Sequence, residues 1–190
     1  MDYRLIQTVE PASEPVTLAE AKTHLRVSDD TEDTYISGLI TAARRYAEEI
    51  TQRQLVSATW QMKLSYFWSG DLWIPRPPLQ SITSITYVDV DGVTQTLSSS
   101  IYTVDKGGKI GRVYLAYDQT WPTIRSRTDE IIITYVAGAS VVNVPATMKH
   151  AIKLIVAHWF ESREPVSIGN TVTPIPMAAE SLLWQERVEV

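Results

Sequence analysis

The period of the apolar residues changes within residues 36–66, ISGLITAARRYAEEITQRQLVSATWQMKLSY. Up to residue 50 the apolar side chains recur every three or four positions, which predicts an amphipathic helix with one buried stripe. From Ala58 to Tyr66 the large apolar groups fall on alternate residues, as in a strand with one face toward a core. We therefore predict a helix over residues 31–52 and strands from about residue 56. The helical stripe comprises Ile36, Leu39, Ile40, Ala43, Ala47 and Ile50.

A second helix is predicted ahead of this stretch. Thr17-Leu18-Ala19-Glu20 has the pattern of a capping box, in which the Thr17 and Glu20 side chains each bind the other residue's backbone amide. We place this helix at residues 18–25. The acidic run at 28–33 then indicates a loop and the next helix start, since carboxylates are favoured at the positive end of a helix dipole.

Strand signals continue to about residue 136. Residues 82–90 are rich in Ile, Thr, Tyr and Val, and Asp91-Gly92 is a hairpin-turn pair that leads into a returning strand at 93–97. Shorter strands are predicted at 102–104 and 112–116. Ile131 to Val136 begins with three isoleucines and is apolar on both faces, which indicates a central strand. The segment Pro75-Arg76-Pro77-Pro78 cannot donate ladder hydrogen bonds and predicts a loop or an edge.

The helical period returns after Gly138, and we predict a helix over 145–163. Its apolar side chains cover about half of its circumference, a wider arc than that of an ordinary surface helix. Trp159 and Phe160 lie on this arc and are candidate partner-binding residues. Pro165, Gly169, Pro174 and Pro176 interrupt the chain beyond it.

The last residues contain the apolar cluster Leu182, Leu183 and Trp184, which we also assign to partner binding. Such a cluster on an interrupted tail is typical of an element that orders on docking. The alternative is that the tail folds back on its own domain. If it docks, the chain should stay folded without residues 165–190.

These elements predict an α+β fold. Two N-terminal helices and one C-terminal helix form a small helical core, with an inserted antiparallel β-region and an extended C-terminal tail. We expect one domain over residues 1–164 and a docking tail over 165–190. For Trp60 we favour a place in the core.

Composition excludes several classes of function. The 190 residues contain no cysteine, so thiolate chemistry and cysteine metal sites are absent. No apolar run approaches the ~20 residues that cross a bilayer, and we expect no membrane contact. The net charge is −5, without a basic run, so tight duplex binding is not expected. Scattered residues such as Arg44, Arg45 and Arg53 could still meet passing DNA.

No catalytic, cofactor or metal site is predicted. His158 and Glu161 lie three residues apart on a helix but lack a second ligand pair. The acidic run at 28–33 lacks the glycine and glutamate spacing of a calcium loop. The glycine-rich residues 107–111 precede a strand, whereas a phosphate loop leads into a helix. We therefore expect a protein that is not an enzyme.

An ordered set of motifs resembles the phage head–tail connector family, also described as adaptor or head-completion proteins. It begins with EPVTLAEAK at 14–22 and HLRV at 24–27, and continues with PRPPL at 75–79 and residues 82–92. Trp121-Pro122, YVAG at 135–138, Val144-Pro145 and AHWFE at 157–161 complete it. The family occurs in long-tailed phages, prophages and gene-transfer agents.

The resemblance implies a structural virion protein at the neck, synthesised in the host bacterial cytoplasm. It implies a ring of identical subunits, usually twelve, beneath the portal protein, with a stopper or tail-terminator protein docked below. Genomic DNA would pass through the ring without specific binding. Another neck or tail-completion (stopper) protein is the nearer alternative, and an enzyme of unrecognised type is the distant one.

Overall fold

The computed structural model describes residues 3–67, 70–125, 127–163 and 176–189. The described chain divides into two compact units. The β unit contains residues up to Ala12 and Ser57–Ala139, and the helical unit contains Ser13–Val56 and residues from Ser140 to Glu189. Residues 164–175, with Pro165, Gly169 and Pro174, lie outside the described residues.

The β unit is built on a five-stranded antiparallel sheet in the order β1-β2-β8-β4-β5. The sheet contains β1 (Arg4–Val9), β2 (Ala58–Leu64), β4 (Leu79–Val88), β5 (Thr94–Thr96) and β8 (Ile131–Ala137). Strand β8 lies at the centre, as its isoleucine run predicts, and Ile131 and Ile133 are fully buried. The Tyr135 hydroxyl donates to the Pro75 carbonyl at 3.1 Å, which satisfies a polar group inside this core.

A three-stranded antiparallel sheet completes the β unit. It contains β3 (Leu72–Trp73), β6 (Tyr102–Asp105) and β7 (Arg112–Leu115), in the order β3-β7-β6. Leu72 and Val113 pair across two strands and are fully buried in the same cluster as the β8 isoleucines. Trp60 is partly buried against that cluster, with the Arg76 guanidinium 5.5 Å from its ring centroid.

The helical unit contains α1 (Leu18–Leu25), α2 (Asp33–Thr51), α3 (Ala146–Glu161) and α4 (Met177–Gln185), with a 3₁₀ turn at Val141–Asn143. The capping box at α1 forms as predicted: Glu20 N donates to the Thr17 hydroxyl at 3.2 Å, and Thr17 N donates to the Glu20 carboxylate at 2.8 Å. Both α1 and α2 end at a left-handed residue, Arg26 and Gln52. The apolar stripe of α2 packs against α3 in one core.

The α+β fold class is confirmed, and two features differ from the expected arrangement. The β-region is more than an insertion between helices, because β1 precedes α1 and forms one edge of the large sheet. The final residues are also part of the fold, since α4 belongs to the helical unit. No helix among the described residues has the length and apolarity needed to span a bilayer.

Candidate partner-binding surface

Helix α4 is held in the helical unit by its inner side. Ala179 and Leu183 lie four residues apart, one turn of the helix, and both are fully buried in the core that α2 and α3 share. Leu182 packs partly buried against the same core. Beyond the helix, the Val188 amide donates to the Thr51 carbonyl at 3.0 Å. The C-terminal segment is therefore anchored both by apolar packing and by a backbone hydrogen bond.

A carboxylate joins α4 to the other helices. Glu186 accepts from Arg53 Nη1 at 2.8 Å, just beyond the end of α2. Its second oxygen accepts from the Thr147 hydroxyl at 3.0 Å, in the first turn of α3. One side chain thus connects three helices, and Arg53, expected among residues that could meet DNA, is engaged in this ion pair.

Two members of the cluster Leu182, Leu183 and Trp184 pack against the helical core, namely Leu182 and Leu183. Leu183 is a core residue, and the alternative in which the tail folds back holds for the described residues 176–189. Trp184 is the member that faces outward, with 53% of its surface exposed. Arg187 lies over its ring at 4.5 Å from the centroid, and Met177 at the start of the helix is 80% exposed. Partner binding at this surface remains a prediction, with Trp184 as its principal residue.

Trp159 packs within the unit. Its ring lies edge-to-face with Tyr46 at a centroid distance of 6.1 Å. Burial, with a smaller effect from the nearby Glu180 carboxylate, raises the pKa of Tyr46. Since Trp159 is partly buried against the helical core, it offers a partner only part of its ring.

Phe160 belongs to a second aromatic group at the end of α3. Its ring lies 6.1 Å from that of Tyr35 on α2. The Arg163 guanidinium lies 4.7 Å from the Tyr35 centroid and 5.1 Å from that of Phe160, and it pairs with Glu32 at 3.0 Å. Tyr35 remains 37% exposed. Tyrosine, phenylalanine and arginine on one surface are the residue types enriched at protein interfaces.

A buried polar network lies beneath α2, and sequence reasoning missed it. Arg44 is 2% exposed and donates to Glu14 through Nε and to Glu48 through Nη1, each at 2.7 Å. Glu48 also accepts from Gln54 at 2.6 Å and from the Leu55 amide at 3.1 Å. Burial raises the pKa of Glu48, against the opposing effect of the Arg44 charge. Arg44 is therefore a structural residue and is not available to DNA.

The histidines and carboxylates do not assemble into a metal site in the described part of the chain. Within those ranges, no group of three or more His, Asp or Glu side chains is close enough to hold an ion. His24 and His150 lie edge-to-face at a centroid distance of 6.4 Å, and burial with the nearby Lys153 charge lowers the pKa of His24.

The fold and this surface can be compared with known proteins. Three of the matching solved structures cover nearly the whole chain. A chain from the "Neck of empty GTA particle computed with C6 symmetry" is 22% identical, with a TM-score of 0.80 over 98% of this chain and 97% of that one. A chain from the "Virion of native gene transfer agent (GTA) particle" is 22% identical, with a TM-score of 0.78 over 98% and 96%. The "Neck of native GTA particle computed with C12 symmetry" contains a chain 23% identical, with a TM-score of 0.70 over 100% and 97%.

These likenesses show that the chain shares its fold with chains of gene-transfer-agent particles. The particular family follows from the sequence: the family model described as "Head completion protein" matches residues 14–179. The chain belongs to the head completion protein family, which confirms the resemblance stated above and the structural role it implies. No curated protein matches the chain.

Proposed function

We propose that the protein is the ring-forming adaptor that connects the DNA-filled head of a phage-like particle to its tail. The observation that carries the proposal is the head-completion family match over residues 14–179. The three similar chains come from particle or neck structures, two of them computed with C6 and C12 symmetry. That similarity supports a ring of identical subunits, with twelve as the proposed number, in the neck of the particle.

The partners in this proposal are the portal protein above the ring and a stopper or tail-terminator protein below it. Trp184 and Met177, two turns apart on the helix, are exposed apolar residues on a helix whose other side is fixed in the core. A rigid tryptophan is a typical interface anchor, because it buries a large area with little loss of conformational freedom. We propose that this outer side of α4 docks on the portal or on an adjacent subunit.

The role is architectural and involves no reaction. Genomic DNA passes through the ring without specific binding, in keeping with a net charge of −5. Weak contact with phosphates is compatible with that passage, whereas a tight grip would depend on many Lys and Arg contacts that displace counterions.

Deletion of the gene tests the proposal. We expect particles of the deletion strain to separate into DNA-filled heads and free tails, and the purified protein to restore joined particles when added to the heads. Joined particles in the deletion strain would contradict the adaptor role. If the added protein binds only to heads that already carry another neck ring, the protein is a stopper or a tail-completion subunit.

A further inference from the structure

The turn between β4 and β5 presents two exposed valines on a braced backbone. Val90 is 62% exposed and Val93 is 54% exposed. Single exposed apolar residues are ordinary on protein surfaces, so exposure alone indicates little. Here both valines lie in one five-residue segment, residues 89–93, which we call the hairpin tip.

Asp89 holds the hairpin tip in shape. Its Oδ1 accepts from the Asp91 amide at 3.1 Å and from the Val93 amide at 2.9 Å, and its Oδ2 accepts from Gln95 Nε2 at 2.9 Å. These hydrogen bonds keep the pKa of Asp89 low, so the carboxylate is charged at neutral pH. Asp89 and Asp91 give the hairpin tip two negative charges, and the Arg125 guanidinium beside Gly92 is paired with Glu130 at 2.9 Å. Such a tip repels DNA phosphates and suits a polar recess that bears positive charge.

The β unit contains a recess of that chemistry. A cavity of about 310 Å³ is lined by Tyr3, Arg4, Lys63, Ser65, Thr128 and Asp129. Arg4 pairs with Asp129 at 2.7 Å, whereas Lys63 makes no ion pair with another described residue. Two cations and one carboxylate leave this end cavity with a net charge of +1, and Tyr3 adds an aromatic wall.

The sheet register places the hairpin tip and the end cavity at the same end of the large sheet. In the strand register, Lys63 of β2 lies opposite Arg4 of β1 and opposite Ile132 of β8. Ile131 of β8 lies opposite Tyr87 of β4. The hairpin tip follows β4 directly beyond this row. Strands β1 and β2 carry the cavity on one side of β8, while β4 and β5 carry the tip on the other. Three strand spacings separate β2 from β5, roughly 14 Å.

We infer that the hairpin tip of one copy of this chain inserts into the end cavity of the next copy around a ring. A cyclic ring joins one surface of each subunit to a different surface of its neighbour, so the two surfaces must lie on opposite sides of the subunit. The tip and the cavity meet that condition, and their charges are opposite. The inference rests on the proposed ring and names the contact within it.

Cysteine cross-linking tests the contact directly, because the chain has no native cysteine. The Val93→Cys and Ser65→Cys changes are made in one chain, which is assembled on the portal protein of the same genome and then oxidised. A disulfide needs Cα atoms within about 7 Å, so the two positions of one copy cannot react with each other. We expect a ladder of covalent multimers on a non-reducing gel. A chain with Val93→Cys and Thr103→Cys, which alters an exposed position on the other sheet, should give no ladder.

Variants with altered charges at the tip and at the cavity provide a second test of the contact. Asp91→Lys makes the tip less negative, and Lys63→Glu makes the cavity negative. Both variants keep Asp89 and the hydrogen bonds that its carboxylate accepts within the hairpin. Lys63→Glu alone should need at least roughly tenfold more protein for half-maximal ring assembly, because a negative cavity then meets a negative tip. Asp91→Lys leaves the tip without net charge and should weaken assembly less. An equimolar mixture of the two should assemble better than Lys63→Glu alone, since in an alternating ring the negative cavity meets only the neutral tip and the negative tip meets only the positive cavity.

The outcomes separate the two proposals. If wild-type protein forms rings and neither the ladder nor the charge rescue occurs, the tip contact is wrong and the adaptor role stands. A cross-link from Val93→Cys to the portal protein would also overturn the contact. If wild-type protein forms no ring with the portal, both proposals fail together.

Discussion

Replacing Leu183 with alanine tests whether α4 is part of the folded unit. The Leu183 side chain is fully buried between α4 and the helical core, so the change removes buried methyl groups and leaves a cavity. Leu→Ala changes at such sites cost about 2–5 kcal/mol, and a terminal helix can relax, so we expect about 3 kcal/mol. For a chain of 190 residues, the corresponding fall in Tm is roughly 6–12 °C.

Trp184→Ala is the matched change on the outer side of the same helix. Trp184 is 53% exposed, so its removal should cost about 1 kcal/mol of stability, including the lost contact with Arg187. If Trp184 docks on a partner, assembly should weaken by about 2 kcal/mol or more, the magnitude of an interface hot spot. Thermal melts followed by circular dichroism measure the first effect, and titration of the portal with each variant measures the second.

The two variants must therefore respond in opposite ways. Leu183→Ala should lose stability, and Trp184→Ala should lose assembly with a nearly unchanged melt. An unchanged melt for Leu183→Ala would show that α4 does not pack as described. A large fall in Tm for Trp184→Ala, with portal binding intact, would make Trp184 an internal anchor and remove it from the partner surface.

Three further changes test the α1 cap, the buried polar network at Arg44 and the core of the β unit. Thr17→Ala should cost about 1 kcal/mol by removing the α1 cap. The Thr17 backbone N–H, which alanine retains, and then the Thr17 hydroxyl lower the pKa of Glu20 below its ordinary value of 4.5, so only the hydroxyl's smaller part of the difference from wild type should shrink as the pH falls below that value in denaturant titrations. Arg44→Met leaves Glu48 buried without its cation and should cost about 3–5 kcal/mol in urea unfolding. Tyr135→Phe leaves the Pro75 carbonyl without its donor and should lower stability by about 1–2 kcal/mol, measured in the same way.

The sequence predicted those elements whose start, burial or turn depends on residues close together in the chain. The start of α1 follows from the capping box, whose two partners lie three residues apart. The central position of β8 follows from isoleucines that are apolar on both faces. The hairpin at Asp91-Gly92 follows from the turn chemistry, and Gly92 has a φ of 84° there.

Elements that depend on distant contacts were missed or misjudged. Strand β1 is short and mostly exposed, and its pairing with β2 joins residues fifty or more positions apart, so its local pattern is weak. The burial of Leu183 depends on α2 and α3, which the interrupted sequence before α4 does not indicate. We consequently expect deletion of residues 165–190 to destabilise the helical unit, contrary to the expectation from the sequence.

For the partner-binding surface as well, the sequence indicated single residues but not their distant contacts. Trp159 and Phe160 were found from the wide apolar arc of α3, but their partners Tyr46 and Tyr35 lie on α2 and come from the fold alone. Arg44 lies among the apolar residues of α2, and its carboxylate partners Glu14 and Glu48 are thirty and four positions away. Charge patterns in a sequence do not reveal which cation is buried.

Electron cryo-microscopy of the purified protein mixed with the portal protein of the same genome tests the adaptor role most directly. The account predicts a closed ring of identical subunits, twelve in number, coaxial with the portal and extending its channel. A monomer bound at scattered sites, or a ring that binds only to tail proteins and leaves the portal bare, would contradict it.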